Sequence, residues 1–238
     1  FIATCLNLLS ENENEVDLCL GLPYSYYVEQ EKGIHLINQY TNKEFKSIVN
    51  NNRKKTKIKS VRVFAQGSGA FFSNMVDIDG YLKNDIINNF SAYFIDIGYR
   101  TVDCVQYVFK NNLRLVASSS FSLEDLGIYR VYNFVVQALN MQVGTFWSNL
   151  DVEEAVLHNN YILRHGLVGE YNIQKLTQKY QKKLAQLIFS QINSRVPNLQ
   201  KIENIYLSGG GAPDLFEYFK SEFPNIKLQK NNIFANAE

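Results

Sequence analysis

The sequence predicts an α/β protein with mixed β-sheets flanked by helices and a division into two domains. An apolar segment, 92–108, has the pattern of two strands joined by a tight turn. A second strand pattern, at 205–207, leads through consecutive glycines into a helical pattern. A polar, turn-rich segment, 79–91, separates strand and helix patterns on both sides, so we predict domains at 1–80 and 81–238.

Helical and strand patterns alternate through the first predicted domain. The basic run 51–59 (NNRKKTKIK) is predicted to be the solvated tip of a hairpin. Gln66 stands at the lip of a glycine-rich turn, 67–69, which is compatible with a ligand-facing turn and equally with an ordinary loop. We predict helices at 1–9, 28–40 and 70–78, a polar loop at 10–15, and strands at 16–22, 44–49 and 57–64.

The second predicted domain begins with the paired strands of 92–108. Two pairs of residues after it have the spacing of a helix-capping box, Ser122 with Asp125 and Asp151 with Glu154. The periodic patterns predict strands at 113–118, 161–163, 205–207 and 226–228, and helices that begin at Ser122, at 152 and at 173.

An aspartate, Asp96, lies in an apolar strand run formed by Phe94, Ile95 and Ile97, where side chains are expected to be buried. A carboxylate in such a place is costly unless it is paired, hydrogen-bonded or beside a metal ion. Gly98 follows, and a short turn of this kind aims several N–H groups at one point, which suits a phosphate. The same D-x-G pattern is also typical of an ordinary hairpin.

Three consecutive glycines, 209–211, follow the strand pattern at 205–207, and Pro213 fits the first turn of the helix after them. Three glycines cost backbone entropy and add no side-chain packing. Their usual purpose is a close approach of the backbone to a ligand, typically a nucleotide at a helix N-terminus. The alternative is a simple helix-entry loop, although such a loop needs only one glycine.

Composition excludes several classes of protein. The 238 residues carry a net charge of +1, which gives no argument for direct binding to nucleic acid or to an anionic membrane, and no apolar run is long enough to span a bilayer. Cys5, Cys19 and Cys104 lie in apolar segments without metal-ligand spacing, which predicts buried, reduced thiols and a cytoplasmic protein. The three histidines lie far apart in the sequence, so neither a metal-hydrolase nor a covalent mechanism has support.

Five segments, in order along the chain, resemble the actin-like ATPases, and most closely the ParM-like group that partitions plasmids in bacteria and archaea. These segments are VDLCLGLPYSYY (16–27), VRVFAQGSGAFF (61–72), FIDIGYRTVD (94–103), IYLSGGGAPDLFEYF (205–219) and NNIFANAE (231–238). The resemblance implies an actin-like (ribonuclease H-like) two-domain ATPase fold. In that fold, 1–80 would be part of the first domain and 81–238 would be the second.

The resemblance also implies a site for ATP or GTP with Mg²⁺. Asp96 would bind the Mg²⁺ ion through water, and Gln66 would orient the attacking water, which makes these two the implied catalytic residues. The residues implied to hold the β- and γ-phosphates are Gly98, Tyr99, Arg100 and Thr101. Those implied to pack against the ribose and adenine are Gly209, Gly210, Gly211 and Ala212. The implied chemistry is positioning and electrostatic stabilisation of phosphoryl transfer to water.

Three departures from the family pattern modify these expectations. Tyr99 stands where many relatives have glycine, so the turn is expected to bind phosphate less closely. Gln66 stands where ParM-type proteins often have glutamate; an amide orients water but accepts a proton poorly, which predicts slow hydrolysis. The family's first phosphate hairpin has no counterpart in this sequence, so the chain is expected to be the later part of an actin-like protein.

The leading functional hypothesis is a filament-forming ATPase that segregates plasmid DNA. Its partners would be further copies of itself and a DNA-bound adaptor protein, without direct contact with nucleic acid or membranes. A chaperone or a sugar or acetate kinase of the same fold is an alternative, but it would need a substrate domain or a catalytic aspartate that the sequence does not display. The third hypothesis is a non-catalytic, nucleotide-sensing interaction protein, which the missing first hairpin favours.

Overall fold

The computed structural model describes residues 2–9, 15–77, 79, 81, 83, 90–144, 146–166 and 169–229. The chain forms two compact units, Phe1–Gln66 and Gly67–Glu238. This division falls before the boundary predicted between 80 and 81, because the helix after Gly67 packs on the sheet of the second unit. Its Phe71 ring stacks on Tyr107 with the centroids 4.3 Å apart. Most of the predicted linker, 79–91, lies outside the described residues, so the predicted domain bounds stay a prediction.

The first unit is a three-stranded sheet with helices packed against it. Its elements are α1 (Ile2–Leu9), β1 (Glu15–Leu22), α2 (Tyr24–Val28), α3 (Gln30–Tyr40), β2 (Glu44–Val49) and β3 (Asn52–Ala65). The strand order is β1-β3-β2, with β1 parallel and β2 antiparallel to β3. Leu6, Ile58 and Val61 form its buried centre. The helix predicted at 28–40 is interrupted at Glu29, which separates α2 from α3.

The prediction that 51–59 forms a solvated hairpin tip is wrong. The turn is limited to Asn50 and Asn51, whose φ angles are 50° and 63°, the left-handed region that a two-residue hairpin turn requires. The basic run instead lies on β3, where Thr56 and Ile58 are buried and Lys57 between them is exposed. The alternation of basic and inward-facing residues is therefore the two-residue period of a strand.

The second unit is built on a larger, mixed sheet. Its elements are α4 (Ser68–Met75), β4 (Phe90–Ile97), β5 (Val102–Phe109), β6 (Leu113–Leu115), β7 (Phe121–Leu123), α5 (Tyr129–Val143), α6 (Asn149–Leu157), β8 (Ile162–His165), β9 (Gly169–Asn172), α7 (Gln174–Arg195), β10 (Asn204–Ser208), α8 (Ala212–Glu222) and β11 (Lys227–Leu228). The strand order is β11-β10-β4-β5-β6, and β7 pairs with the first residues of β5. β10 is parallel to β4 and β11, whereas β5 is antiparallel to β4 and β6.

Helices cover both faces of this sheet. Tyr93 and Ile95 of β4 point into a core shared with α5, α7 and α8. Phe94, between them, points the other way, and its ring meets Phe71 of α4 edge to face at 5.8 Å. The mixed sheets flanked by helices confirm the predicted fold class. Because side chains alternate along a strand, Asp96 lies on the same face as Phe94.

Neither capping box has its predicted form. Ser122 lies in β7, and the next helix, α5, begins only at Tyr129. A capping box does start α6, but it joins Ser148 to Asp151: the Asp151 N–H donates to Ser148 Oγ, and the Ser148 N–H donates to Asp151 Oδ2. The spacing of Ser122 and Asp125 was misleading because the segment around Ser122 pairs with β5 as a strand.

The cysteine prediction is partly right. All three cysteines are free thiols, and Cys104 is buried, but Cys5 is half-buried and Cys19 is exposed because it points outward from β1. Within the part of the chain that the structure describes, no three His, Cys, Asp or Glu side chains form a metal-binding group. No helix in the same residues is long and apolar enough to cross a membrane.

Candidate functional site

Asp96 and Asp103 are buried directly opposite each other on the sheet of the second unit. They are registered partners in the antiparallel pair of β4 and β5, and their exposed fractions are 6% and 2%. Side chains directly opposite in such a pair share one face, with their Cβ atoms about 5 Å apart. Two carboxylates this close and this buried require hydrogen-bond donors or a cation.

Three hydroxyl groups donate to these carboxylates. Thr101 Oγ1 donates to Asp103 Oδ2 at 3.2 Å, and Ser122 Oγ donates to Asp103 Oδ1 at 2.5 Å. From the neighbouring strand β10, Ser208 Oγ donates to Asp96 Oδ1 at 3.5 Å. The two serines are site residues that the sequence analysis missed. The Thr101 hydroxyl, implied to hold phosphate, donates to a carboxylate here.

The turn between β4 and β5 presents three consecutive N–H groups in one direction. The carbonyl groups of Gly98, Tyr99 and Arg100 accept hydrogen bonds of 2.9 to 3.1 Å from the N–H groups of segment 127–129. In a trans peptide the C=O and the following N–H point opposite ways, and no peptide in the described segments is cis. The N–H groups of Tyr99, Arg100 and Thr101 therefore point away from segment 127–129. Such a cluster of N–H groups suits phosphate.

Gly127 allows segment 127–129 to hold this turn. A Cβ atom at Gly127 would collide with the carbonyl oxygen of Tyr99 and with the carbonyl carbon of Arg100. No larger residue fits unless the turn moves. The sequence gives no signal for the role of Gly127, since a glycine shortly before a helix is common.

Packing within the second unit explains two of the three consecutive glycines. Gly209 has a φ of 89°, and a Cβ there would collide with Asp96 Oδ1 and the carbonyl oxygen of Ile97. A Cβ at Gly211 would lie 2.7 Å from Ile97 Cγ2 and 2.9 Å from Ile128 Cβ. The Gly211 N–H also donates to the Ile97 carbonyl at 2.9 Å. The structure thus brings the triple-glycine loop against the end of β4, beside Asp96.

Gly210 differs from its two neighbours. It is exposed, and no atom lies within 4 Å of the position that its Cβ would take. It stands just before α8, whose first residue, Ala212, is fully buried and donates its N–H to the Gly209 carbonyl at 3.1 Å. Open space beside an exposed backbone at a helix N-terminus fits the close approach of a nucleotide.

The side chains of Tyr99 and Arg100 extend towards α5 and α6. Arg100 Nη2 lies 3.1 Å from Asp125 Oδ1, and this hydrogen bond raises the pKa of the Arg100 guanidinium. The Tyr99 ring lies 6.0 Å from that of Tyr129. Partial burial, followed by the charge of Glu153 on α6, raises the pKa of Tyr99. Both side chains thus contact other protein groups, and it is the backbone of these two residues that fits phosphate.

A carboxylate among tyrosines lies in the first turn of α8, next to the triple-glycine loop. Burial raises the pKa of Asp214. Burial first, with a contribution from the Asp214 charge, raises the pKa values of Tyr132, Tyr161 and Tyr218. This group is not recognisable in the sequence because its members come from separate segments. Carboxylate and phenol groups hydrogen-bond hydroxyls well, so the group is a candidate contact for a nucleoside.

Gln66 ends the first unit. Its N–H donates to the Leu22 carbonyl at 2.6 Å and ties the end of β3 to the end of β1. Its Cγ lies 3.2 Å from the position of a Cβ at Gly21, so the glycine leaves room for the Gln66 side chain. The water-orienting role of Gln66 rests on the resemblance and stays a prediction.

Two family models match the chain. The model of the archaeal actin homologue MreB-like, C-terminal, matches residues 94–221. The model of the N-terminal domain of actin-like proteins matches residues 1–69. No curated protein sequence matches the chain.

Solved actin-like proteins share the fold. A non-polymerisable quadruple mutant of pCBH ParM is 22% identical with a TM-score of 0.82, over 99% of this chain and 71% of that chain. A 15-stranded ParM filament from Clostridium botulinum is 24% identical with a TM-score of 0.79, and the match covers 99% of this chain and 69% of that chain. The archaeal actin homologue Ta0583 in complex with ADP is 17% identical with a TM-score of 0.75, and the match covers 100% of this chain and 74% of that chain. These likenesses confirm the predicted actin-like fold.

Proposed function

The chain belongs to the family of archaeal MreB-like actin homologues, and we propose that its full-length protein is a filament-forming ATPase that separates plasmid copies. The observation that carries this proposal is the cluster of N–H groups at 99–101, on the turn that directly follows the buried Asp96. The N–H cluster fits phosphate, and a carboxylate fits a magnesium ion. Gly210 adds an open backbone position for the nucleoside.

The donor set fits a nucleotide with Mg²⁺. Asp96 would hold the ion through water, in keeping with the reluctance of Mg²⁺ to lose its water ligands. The bound ion supplies neutralisation of the charge on the phosphate oxygens. The backbone of 98–101 holds the β- and γ-phosphates. The Thr101 hydroxyl donates its hydrogen bond to these phosphates in place of Asp103. The base and ribose lie against 209–212, with ATP and GTP as the candidate nucleotides.

Hydrolysis in this proposal depends on positioning. Gln66 orients the attacking water with its amide, which accepts a proton poorly, so the reaction is slow and acts as a timer. Bound nucleotide favours the addition of subunits, and hydrolysis weakens their contacts. Assembly is supported by the relative whose structure is a ParM filament. We further propose a cytoplasmic protein that reaches DNA through a bound adaptor and does not itself bind nucleic acid or membranes.

The test is Asp96→Asn in the full-length protein, a change of nearly equal size. We expect phosphate release with Mg²⁺ and ATP or GTP to fall by about 10²-fold, as for the loss of one electrostatic contact in an active site. Nucleotide-dependent light scattering should disappear with it. Asp125→Asn, which changes an exposed acid beyond the same turn, is the matched control and should behave as wild type. Unchanged hydrolysis and assembly in Asp96→Asn would show that the site is wrongly assigned.

A further inference from the structure

The hairpin of β2 and β3 in the first unit presents a surface that we call the basic hairpin face: Lys46, Ile48, Arg53 and Lys55. Ile48 pairs with Arg53 and Lys46 pairs with Lys55, so the four side chains share one side of the hairpin. All four are exposed, and Ile48 is 64% exposed. Lys46 and Lys55 are like charges directly opposite each other, which destabilises an antiparallel pair, and Lys55 forms an ion pair with Glu44 at 2.6 Å.

This face has a fixed shape because the other side of the hairpin packs on α1. Asn7 Nδ2 donates to Ser47 Oγ at 3.0 Å and to the carbonyl oxygen of Asn52 at 3.2 Å, so α1 holds both strands next to the turn. Residues 44–59 carry six basic residues and one acid. The hairpin is therefore a preformed, positively charged surface with an exposed isoleucine.

Helix α6 of the second unit presents an exposed apolar surface that includes one acid, and we call it the acidic helix face: Leu150, Glu154 and Leu157. Their i, i+4 and i+7 spacing places them on one side of the helix. Both leucines are more than half exposed, whereas Val152 on the opposite side is fully buried. The surrounding segment, 141–163, contains three acids and neither lysine nor arginine.

An exposed aromatic residue precedes this face. Phe146 is 97% exposed, although its neighbour Trp147 is held firmly. The Trp147 N–H donates to Asn140 Oδ1 at 3.0 Å, and Asn140 Nδ2 donates to the Trp147 carbonyl at 3.2 Å. The backbone is thus fixed at the point where the aromatic ring faces solvent. Aromatic and leucine side chains presented in this way are characteristic of protein interfaces.

We propose that the basic hairpin face of one copy binds the acidic helix face and Phe146 of the next copy. Ile48 packs among the exposed apolar side chains of α6, and the basic side chains face the acids of segment 141–163. Because the two surfaces differ, the contact is head-to-tail and leaves one surface of each kind open at the ends, so it builds a filament wherever the rotation between copies does not close a ring. This inference rests on the proposed assembly and names the surfaces that perform it.

The first experiment reverses each surface in the full-length protein and measures assembly by light scattering with Mg²⁺ and nucleotide. The hairpin variant is Lys46→Glu with Arg53→Glu, and the helix variant is Glu154→Lys with Leu157→Lys. Each should raise the critical concentration at least tenfold. Lys182→Glu, on the exposed side of α7, is the matched control and should leave it unchanged.

Two combinations separate a lost contact from a misfolded variant. A chain that carries both reversals restores opposite charges and should assemble again. In an equimolar mixture of the hairpin variant and the helix variant, every contact between unlike copies joins opposite charges, so the mixture should assemble into alternating filaments although neither variant does so alone, as measured by light scattering.

The outcomes distinguish this inference from the proposed function. If wild type assembles and the reversed variants assemble equally well, or if their mixture stays monomeric, the interface is wrong while the filament proposal stands. If wild type does not assemble with any nucleotide, the proposed function fails and this interface fails with it.

Discussion

The two glycine turns of the second unit use glycine for different purposes. In the triple-glycine loop, Gly209 and Gly211 have no space for a side chain because β4 packs against them, and only Gly210 faces open space. In the turn at 98–101, the N–H groups form the candidate phosphate site, and a distant glycine, Gly127, makes room for the segment that orients them. The number of glycines in a turn therefore does not measure how closely a ligand approaches. The space beside each glycine does.

The largest effect that this comparison predicts is on folding. Gly209→Ala adds a Cβ against Asp96 and Ile97 at a positive φ, which should cost about 2–5 kcal/mol of unfolding free energy from left-handed strain and overpacking combined. Urea denaturation measures it. Gly33→Ala is the matched control, since nothing lies within 4 Å of its Cβ position in α3, and it should stabilise by about 0.5–1 kcal/mol. Equal stability of Gly209→Ala and wild type would mean that the loop does not lie against β4.

A smaller effect, confined to binding, is expected at Gly210. Gly210→Ala should change the unfolding free energy by no more than about 0.5 kcal/mol, as for an ordinary surface substitution. The methyl group occupies the open space proposed for the nucleoside, so the affinity for Mg²⁺-ADP should fall about tenfold, or about 1.4 kcal/mol. Calorimetric titration checks this. An unchanged affinity would place the nucleoside elsewhere.

The smallest effect is expected at the side chain of Arg100. Both side chains of its ion pair with Asp125 are exposed to solvent, so the pair contributes little to stability. Because only the backbone of Arg100 is proposed to contact phosphate, Arg100→Ala should change nucleotide affinity less than twofold in the same titration. A tenfold loss would show that the guanidinium itself contacts the nucleotide.

Local patterns in the sequence were sufficient to predict the strand–turn–strand around Asp96 and the strand–glycine–helix around 209–211. Both depend on neighbours in sequence: apolar runs, a turn glycine and a proline in the first helical turn. The fold class followed from the alternation of such units, and the order of five motifs implied the actin-like fold that the structure confirms.

Contacts between distant segments could not be predicted from the sequence. The pairing of Asp96 with Asp103 depends on strand register, and the serine donors to this pair come from β7 and β10. The need for glycine at 127 appears only when its segment lies against the turn at 98–101. The basic run on β3 was misassigned because lysines at alternate positions also suit a solvated turn, and only the burial of Thr56 and Ile58 distinguishes the two.

The central claim is that the N–H groups of Tyr99, Arg100 and Thr101 bind the phosphates of a nucleotide. Amide hydrogen exchange, resolved to single residues, tests it directly in the full-length protein with and without Mg²⁺-ADP. The Gly98 N–H, which already donates to the Thr101 carbonyl at 2.9 Å, is an internal reference and should change little. The account predicts that exchange at the three N–H groups slows at least tenfold on binding. Nucleotide binding that leaves their exchange unchanged would contradict it.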